Sequence, residues 1–153
     1  MLHLRRTLLL LALALLTPAA LTATAQDDDK KEEQPAFREY KGIKIGMPAA
    51  DVRKLLGNPA DKGDTQDLFT FGDNETAQVY YDSSRNVSAI SVSYFGDMAK
   101  APTPKVVLGS EAEAKPDGSL YKMIRYPKAG YWVSYSRTAG DSPMITVAVQ
   151  KIQ

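Results

Sequence analysis

Apolar residues recur at spacings of three and four over residues 48–56, which is the pattern of a helix with one apolar face. The apolar positions are Ala49, Val52, Leu55 and Leu56. The residues predicted to face water are Asp51, Arg53 and Lys54. Pro48 suits the first helical position, and Gly57 suits the left-handed residue that follows the last turn. Because a two-turn helix is marginal by itself, it must pack its apolar face on another element.

Beyond residue 67 the pattern changes to an alternation of apolar and polar residues, which predicts strands. The predicted strands are residues 68–72, 76–82, 87–95, 120–126, 130–137 and 144–152. Gly, Asn, Asp, Ser and Pro cluster between several of these segments, at positions suited to tight turns. The predicted fold class is therefore α+β, with a short helix or helix pair packed on an antiparallel sheet of about six strands.

The segment before the helix, residues 36–45, mixes apolar and charged residues without a clear period. Its apolar residues Phe37, Tyr40, Ile43 and Ile45 are predicted to lie against the sheet. The pattern leaves open whether they do so as a short helix or as an edge strand.

The two halves of the strand-forming region match at an offset of 52 residues. The aligned pairs are Gly57 with Gly109, Phe69 with Tyr121, Phe71 with Met123, and Tyr80 with Trp132. The match continues into the last strand only if three further residues are inserted. This pattern is consistent with a degenerate tandem repeat. Pro102 and Pro104 leave room for at most one helical turn in the second copy.

The N-terminus has the organisation of a secretory signal. Arg5 and Arg6 precede an apolar run over residues 8–16, which is too short to cross a bilayer, and Ala-Thr-Ala at residues 23–25 fits a cleavage site. The predicted domains are a signal peptide at 1–25, a disordered acidic spacer at 26–35 and one α+β domain at 36–153.

Cysteine is absent from the chain, so neither a disulfide framework nor a lipid-bearing cysteine is expected. Removal of Arg5 and Arg6 with the signal changes the formal net charge from +1 to −1. A nearly neutral chain of mixed charges argues against a nucleic-acid partner. We therefore expect a periplasmic or secreted protein without a covalent lipid anchor and without a transmembrane segment after cleavage.

The helix and its flanking residues resemble the SmpA/OmlA family of BamE-like outer-membrane lipoproteins. The matching residues are Ile43, Gly46, Met47, Val52, Leu55, Leu56, Gly57 and Pro59. The resemblance implies a helix on an antiparallel sheet and a role in envelope or outer-membrane protein assembly. The related unit of β-lactamase-inhibitor proteins implies an alternative, an inhibitor of a secreted hydrolase. The chain departs from the family at Pro48, where a capping Ser or Thr is usual, and in lacking the lipid-bearing cysteine.

The inventory of side chains argues against catalysis. The only histidine, His3, leaves with the signal, so Ser-His-Asp and Cys-His nucleophiles and zinc sites with His or Cys ligands are excluded. Asp61, Asp64 and Asp67 are the remaining candidates for acid–base chemistry, but a solvated loop is the favoured interpretation. We expect a non-catalytic protein without a cofactor or metal; a carboxylate-dependent enzyme is the less favoured alternative.

Aromatic residues crowd the last strands and indicate a binding surface. If the apolar residues of the last strand point to the core, alternation places Val133 in the core and turns Trp132 outward. The residues predicted to form an outward face that binds a protein partner are Tyr80, Lys122, Ile124, Tyr126 and Trp132. Rigid aromatics beside a long cation are typical anchors of protein–protein contacts. The alternative is a mixed surface that another part of the domain covers.

Overall fold

The computed structural model describes residues 37–153, which form one antiparallel sheet with two short helices. The elements are α1 (Ala49–Leu56), β1 (Asp61–Lys62), β2 (Gln66–Phe71), β3 (Glu75–Tyr81), β4 (Val87–Tyr94), a 3₁₀ turn (Met98–Lys100), α2 (Pro104–Leu108), β5 (Leu120–Tyr126), β6 (Tyr131–Arg137) and β7 (Ile145–Lys151). The predicted α+β class is confirmed, with seven strands instead of about six. The additional strand, β1, is too short to show any alternation. The predicted signal peptide (1–25) and spacer (26–35) lie outside the described residues.

The sheet is built from two three-stranded meanders and the two-residue edge strand β1. Its strand order is β1-β2-β3-β4-β7-β6-β5, so β2-β3-β4 and β5-β6-β7 meet along β4 and β7. Val92 and Val147 face each other in this central antiparallel pair. One helix precedes each meander, so the element order of the first half recurs in the second except for β1, which has no counterpart. This agrees with the predicted repeat, and α2 has the single turn that the prolines allow.

The aligned residues of the two halves do not all share a face, however. Phe69 on β2 is buried, whereas its aligned partner Tyr121 on β5 is 55% exposed. An alignment at an offset of 52 residues therefore pairs Gly57 with Gly109 correctly at the two helix ends. For the strands β2 and β5, however, the same alignment is wrong by one residue. Because side chains alternate along a strand, this shift exchanges the faces.

The core lies between the helices and one face of the sheet, which we call the inner face. Its buried strand residues are Phe69, Ala77, Val79, Tyr81, Val87, Ile90, Val92, Tyr126, Val133, Tyr135, Ile145, Val147 and Val149. Val52 of α1 and Val107 of α2 cover this face and have no exposed surface. Ile43, from the segment before α1, is likewise fully buried. The apolar stripe of α1 is thus covered by the sheet, as a short helix requires.

The predicted boundaries and faces of α1 need three corrections. Pro48 precedes the first helical residue and is extended, with φ −61° and ψ 142°. Leu55, assigned to the apolar face, is 55% exposed. Arg53, assigned to water, has a side chain only 20% exposed because it turns toward the buried carboxylate of Asp67. An ion pair with a distant strand overrides the polarity pattern at this position.

The segment before α1 is neither a helix nor an edge strand. Tyr40 and Ile43 form an isolated antiparallel bridge around a tight turn at Lys41 and Gly42, both of which have positive φ. The prediction that its apolar residues lie against the sheet is confirmed, since Tyr40 and Ile43 are buried. Phe37 and Ile45 pack against the same core. No helix within residues 37–153 is long and apolar enough to span a membrane.

Candidate functional site

The face of the sheet opposite the helices, which we call the outer face, is not covered by any helix of residues 37–153. Its side chains on β2 to β7 are Gln66, Leu68, Thr70, Thr76, Gln78, Tyr80, Ala89, Ser91, Ser93, Tyr121, Met123, Arg125, Trp132, Ser134, Ser136, Thr146, Ala148 and Gln150. None of these residues is buried. Arg125 is the only one with a charged side chain. The outer face of β2 to β7 is therefore nearly neutral and rich in hydroxyl groups, and it carries three aromatic side chains.

Trp132 lies on the outer face, as predicted from the alternation. Its neighbours Tyr131 and Val133 point inward, and Val133 pairs directly with the buried Val149 of β7. The orientation follows from period-two alternation against a fixed core on β7. The prediction that Trp132 points away from the core is confirmed.

Tyr80 shares the outer face with Trp132. The register pairs Tyr80 with Ala89, Ala89 with Gln150, and Gln150 with Trp132, so the two aromatic residues stand in one row across the sheet. Three strand spacings separate them, a distance of about 14 Å. The repeat alignment paired these two residues, and the sheet places them on the same face of the two meanders.

Lys122, Ile124 and Tyr126 do not share this face, and their prediction is wrong. The hairpin between β5 and β6 closes on the pair Tyr126–Tyr131, which places Ile124 directly across from Val133. Residues directly opposite in an antiparallel pair point to the same side. All three residues are therefore on the inner face. The turn register, which the alternation within a single strand does not show, decides this.

On the inner face these three residues have structural roles. Ile124 packs against the buried core. Tyr126 is buried, and its ring lies 6.2 Å from that of Tyr131. Lys122 extends its ammonium to the carbonyl of Glu111, which accepts a hydrogen bond of 2.8 Å from Nζ. None of the three is placed to contact a partner together with Trp132.

The residues of β5 that do stand beside Trp132 are Tyr121, Met123 and Arg125, which the sequence reasoning missed. Tyr121 is 55% and Met123 41% exposed, and Arg125 pairs directly with Trp132. The signal that could have found them is the loop length. If residues 126 and 131 are taken as the closing pair of a four-residue loop, then Arg125 falls opposite Trp132.

The three acidic residues of the β1–β2 region are not brought together. Asp61 pairs with Leu68 and so lies on the outer side of the sheet, whereas Asp67 lies on the inner side. Asp64 is exposed and forms an ion pair with Arg85, with 2.6 Å between Oδ1 and Nη1. The arrangement therefore does not assemble a pair of carboxylates for acid–base work.

Asp67 is not solvated, contrary to the favoured interpretation of this loop. It has no exposed side-chain surface, and each of its oxygens accepts two hydrogen bonds. Oδ1 accepts from Nη2 of Arg53 and from the N–H of Gly63. Oδ2 accepts from Nε of Arg53 and, at 2.7 Å, from the hydroxyl of Tyr81.

Two opposing effects act on the pKa of Asp67. Burial raises it, but the hydrogen bonds from Arg53, Tyr81 and Gly63 lower it, and the net result is a pKa below the usual value for Asp. Burial and the neighbouring carboxylate also raise the pKa of Tyr81, which keeps its hydroxyl protonated as a donor. This group is therefore a structural anion that joins α1 to β2.

A cleft of about 490 Å³ beside α2 is a second candidate for a binding site. It is bordered by Pro104, Asp117, Arg137 and Pro143. Nη2 of Arg137 already donates a 3.0 Å hydrogen bond to the carbonyl of Gly118. The carboxylate of Asp117 accepts hydrogen bonds from the N–H and hydroxyl of Ser119. Both charged groups are thus engaged by neighbouring turns, and the outer face remains the stronger candidate.

No family model, curated protein or solved structure matches this chain. The resemblance to SmpA/OmlA proteins therefore stays a prediction. Within residues 37–153 no group of three or more His, Asp or Glu side chains is arranged to hold a metal ion. The candidate site is consequently defined by its geometry alone, as an aromatic surface on an open sheet.

Proposed function

We propose that this protein is an exported, non-catalytic protein-binding module that uses the outer face around Trp132. In keeping with its resemblance to SmpA/OmlA proteins, it assists the assembly of envelope or outer-membrane proteins. The observation that carries the proposal is the position of the only tryptophan on a sheet face that no helix of the described residues covers. An aromatic group on such a face has apolar surface to bury against a partner.

The composition of the outer face favours a protein partner. Tyrosine and tryptophan supply a large rigid contact area with few rotatable bonds, and a polar atom that can still form a hydrogen bond. Hydroxyl and amide groups surround these anchors, and the nearby charges are few: Arg125 on β5, the ammonium of Lys115 at 5.9 Å from the ring centroid of Tyr121, and Asp61 on the short edge strand. Burying ions without partners opposes association, so a surface with few charges keeps that penalty small.

The binding surface is revised accordingly. Tyr80 and Trp132 remain, and Tyr121, Met123 and Arg125 replace the inward residues Lys122, Ile124 and Tyr126. The revised set contains three aromatic side chains, one thioether and one guanidinium on a single side of the sheet. Aromatic residues, Met and Arg are the residue types enriched in the centres of protein interfaces.

The proposal of a non-catalytic protein rests on the ionisation and the placement of the three aspartates Asp61, Asp64 and Asp67. Asp67 is ionised and has both oxygens occupied, so it neither accepts nor donates a proton readily. Asp61 and Asp64 point in other directions and are exposed. A general acid or base needs a pKa near the working pH, and the pKa of Asp67 moves away from that value.

The test is affinity capture from an envelope extract with the mature protein as bait. Truncation of a true anchor costs about 2 kcal/mol or more, which is a roughly thirtyfold loss of affinity. We expect Trp132→Ala to show this loss for the captured partner. Leu55→Ala is the matched control, because Leu55 is an exposed apolar residue on α1, at the opposite side of the sheet. Equal effects of the two substitutions would refute the site.

The identity of the captured protein tests the role. Assembly machinery of the envelope, or unfolded outer-membrane proteins, would support a role in assembly. A single soluble hydrolase whose activity falls when this protein is added would instead show an inhibitor and overturn the assembly role. In either case the dependence on Trp132 is measured separately from the identity of the partner.

A further inference from the structure

The side chains of the outer face stand in three rows that cross the sheet from β2 to β5. β4 and β7 form the centre of these rows, so each row has three residues on either side of a midline between β4 and β7. The two meanders thus place their outer side chains at matching distances from this midline. The rows are Gln66, Tyr80, Ala89, Gln150, Trp132, Arg125; Leu68, Gln78, Ser91, Ala148, Ser134, Met123; and Thr70, Thr76, Ser93, Thr146, Ser136, Tyr121.

We infer that the outer face packs on the outer face of a second copy of this chain, about a twofold axis that runs parallel to the strands along the midline. The axis places each residue opposite the residue at the same distance on the other side of the midline, in the same row of the second copy. Two sheets packed face to face lie about 10 Å apart, with their strands rotated by about 30°. The inference concerns the face used in the proposed function, but it needs no other protein and does not rest on that function.

The residues that this axis brings together suit each other. Tyr80 of each copy lies opposite Trp132 of the other, and aromatic pairs are favourable beyond the area that they bury. Leu68 lies opposite Met123, and both are apolar side chains that point away from the core. Each remaining pair contains a hydroxyl or an amide group, and no pair opposes two like charges. The outer face is therefore complementary to itself about this axis.

The charges at the two edges of the outer face are of opposite sign. Arg125 is exposed on β5, and the ammonium of Lys115 lies 5.9 Å from the ring centroid of Tyr121 on the same strand. Asp61 is exposed on the outer side of β1, whereas the adjacent Lys62 lies on the inner side. The axis brings the β5 edge of each copy over the edge with β1 and β2 of the other copy. Cations of one copy thus approach an anion of the other, which is favourable.

A twofold axis perpendicular to the strands would not give this match. It would place β5 of one copy over β5 of the other and so gather Arg125 and Lys115 of both copies at one edge, where like charges repel. It would also set Trp132 opposite Ser136, so that the aromatic rings of the two copies would not meet. The side chains therefore select the axis parallel to the strands.

The area of the outer face is sufficient for a specific but weak dimer. Strands β2 to β7, at about 4.8 Å each, span about 29 Å, and six residues along a strand span about 20 Å. The contact then covers about 600 Å² on each copy, or about 1,200 Å² in total, which is the lower limit of specific interfaces. Because the dimer covers Trp132, a protein that binds the outer face must displace the second copy. Self-association thus regulates access to the proposed site.

A concentration series of the purified mature protein tests the dimer. Sedimentation should show a reversible monomer–dimer equilibrium between about 1 µM and about 1 mM, the range expected for a weak interface. Trp132 is the only tryptophan of the chain, so its emission should shift to shorter wavelength over the same concentrations as the ring leaves water. Monomer alone at about 1 mM, or a dimer whose formation leaves the emission unchanged, would overturn the inference.

Complementary charges test the axis. Gln78 of one copy lies opposite Ser134 of the other, whereas within one copy the two residues are three strand spacings apart, about 14 Å. Gln78→Asp alone and Ser134→Lys alone should each raise the dissociation constant of the dimer at least about tenfold, because each leaves unpaired charges in the interface. A mixture of these two variants should regain at least about tenfold, because an introduced carboxylate then faces an introduced ammonium.

A mixture of Gln78→Asp with Gln78→Lys is the matched control. The axis keeps these two substituted positions more than about 14 Å apart, so this mixture should not regain affinity. Recovery in both mixtures, or in neither, would refute the inference. Both positions lie on the outer face and are not buried, so circular dichroism should show that every variant is folded. The dimer is measured on the purified protein alone and the proposed function by capture of another protein, so either can fail without the other.

Discussion

Arg53 and Asp67 form a bidentate ion pair between helix α1 and strand β2. Nε donates to Oδ2 at 2.8 Å and Nη2 donates to Oδ1 at 2.9 Å. Nη2 also donates to the carbonyl of Gly63 at 3.1 Å, so the guanidinium binds the loop before β2 as well. The planar guanidinium of Arg53 and the planar carboxylate of Asp67 thus form two parallel, charge-assisted hydrogen bonds, which are stronger than hydrogen bonds between neutral groups. The pair therefore fixes the position of α1 on the sheet.

Arg53→Ala should destabilise the fold by about 3 kcal/mol. The substitution leaves a fully buried carboxylate with only its bonds from Gly63 and Tyr81, and breaking a buried pair typically costs 3 to 5 kcal/mol. The lower end applies because the Arg53 side chain keeps some exposure. Urea unfolding would measure the loss. The neighbouring exposed Lys54→Ala should change stability by less than about 0.5 kcal/mol, and a similar loss in both variants would contradict this role.

Acid should unfold the protein partly through Asp67. Its folded pKa is lowered below the unfolded value of about 3.9, so the carboxylate form stabilises the fold. This contribution is fully present above pH 4 to 5 and is lost as the pH falls through the folded pKa. Urea midpoints between pH 7 and pH 2.5 should show the loss. Asp67→Asn should be less stable at pH 7 and should lose less stability on acidification; an unchanged acid dependence would refute the assignment.

Trp132 and Val133 are adjacent in sequence but should respond differently to truncation. Val133→Ala opens a cavity beneath β6 where no surface is exposed and should cost about 2 kcal/mol of unfolding free energy. Trp132→Ala removes a side chain from the outer face and should cost less than about 1 kcal/mol. Thermal melting of both variants at neutral pH checks the prediction. The reverse order would mean that the two faces of β6 are exchanged.

Gly57 and Gly109 end the two helices with different backbone conformations, and asparagine should distinguish them. Gly109 is in the left-handed region, with φ 72° and ψ 1°, which asparagine tolerates. Gly57 has φ 84° and ψ −157°, a region essentially restricted to glycine. Gly57→Asn should therefore cost about 1 to 3 kcal/mol, and Gly109→Asn less than about 1 kcal/mol. Chemical denaturation of the pair would reveal equal losses if this distinction is wrong.

The sequence by itself determined the elements and the approximate bounds of α1 and the longer strands. Periodicity is a property of neighbouring residues, so the stripe at Ala49 and Val52 and the alternation around Val133 could be read without a fold. The same local rule turned Trp132 outward. Gly57 also marked the helix end correctly, but the predicted left-handed conformation is wrong, since φ 84° is combined with ψ −157°.

Only the tertiary structure decided which residues share a face across strands and which charges meet. Ile124 lies across from Val133 because the hairpin closes on Tyr126 and Tyr131, and a shift of one residue in that register exchanges every side chain between the faces. Register depends on pairing between separate segments, which alternation within one strand does not encode. The burial of Asp67 also depends on the tertiary structure, because α1 places Arg53 next to it on β2. A carboxylate is tolerated in the interior only when a cation and hydrogen-bond donors from other parts of the chain compensate the cost of its desolvation.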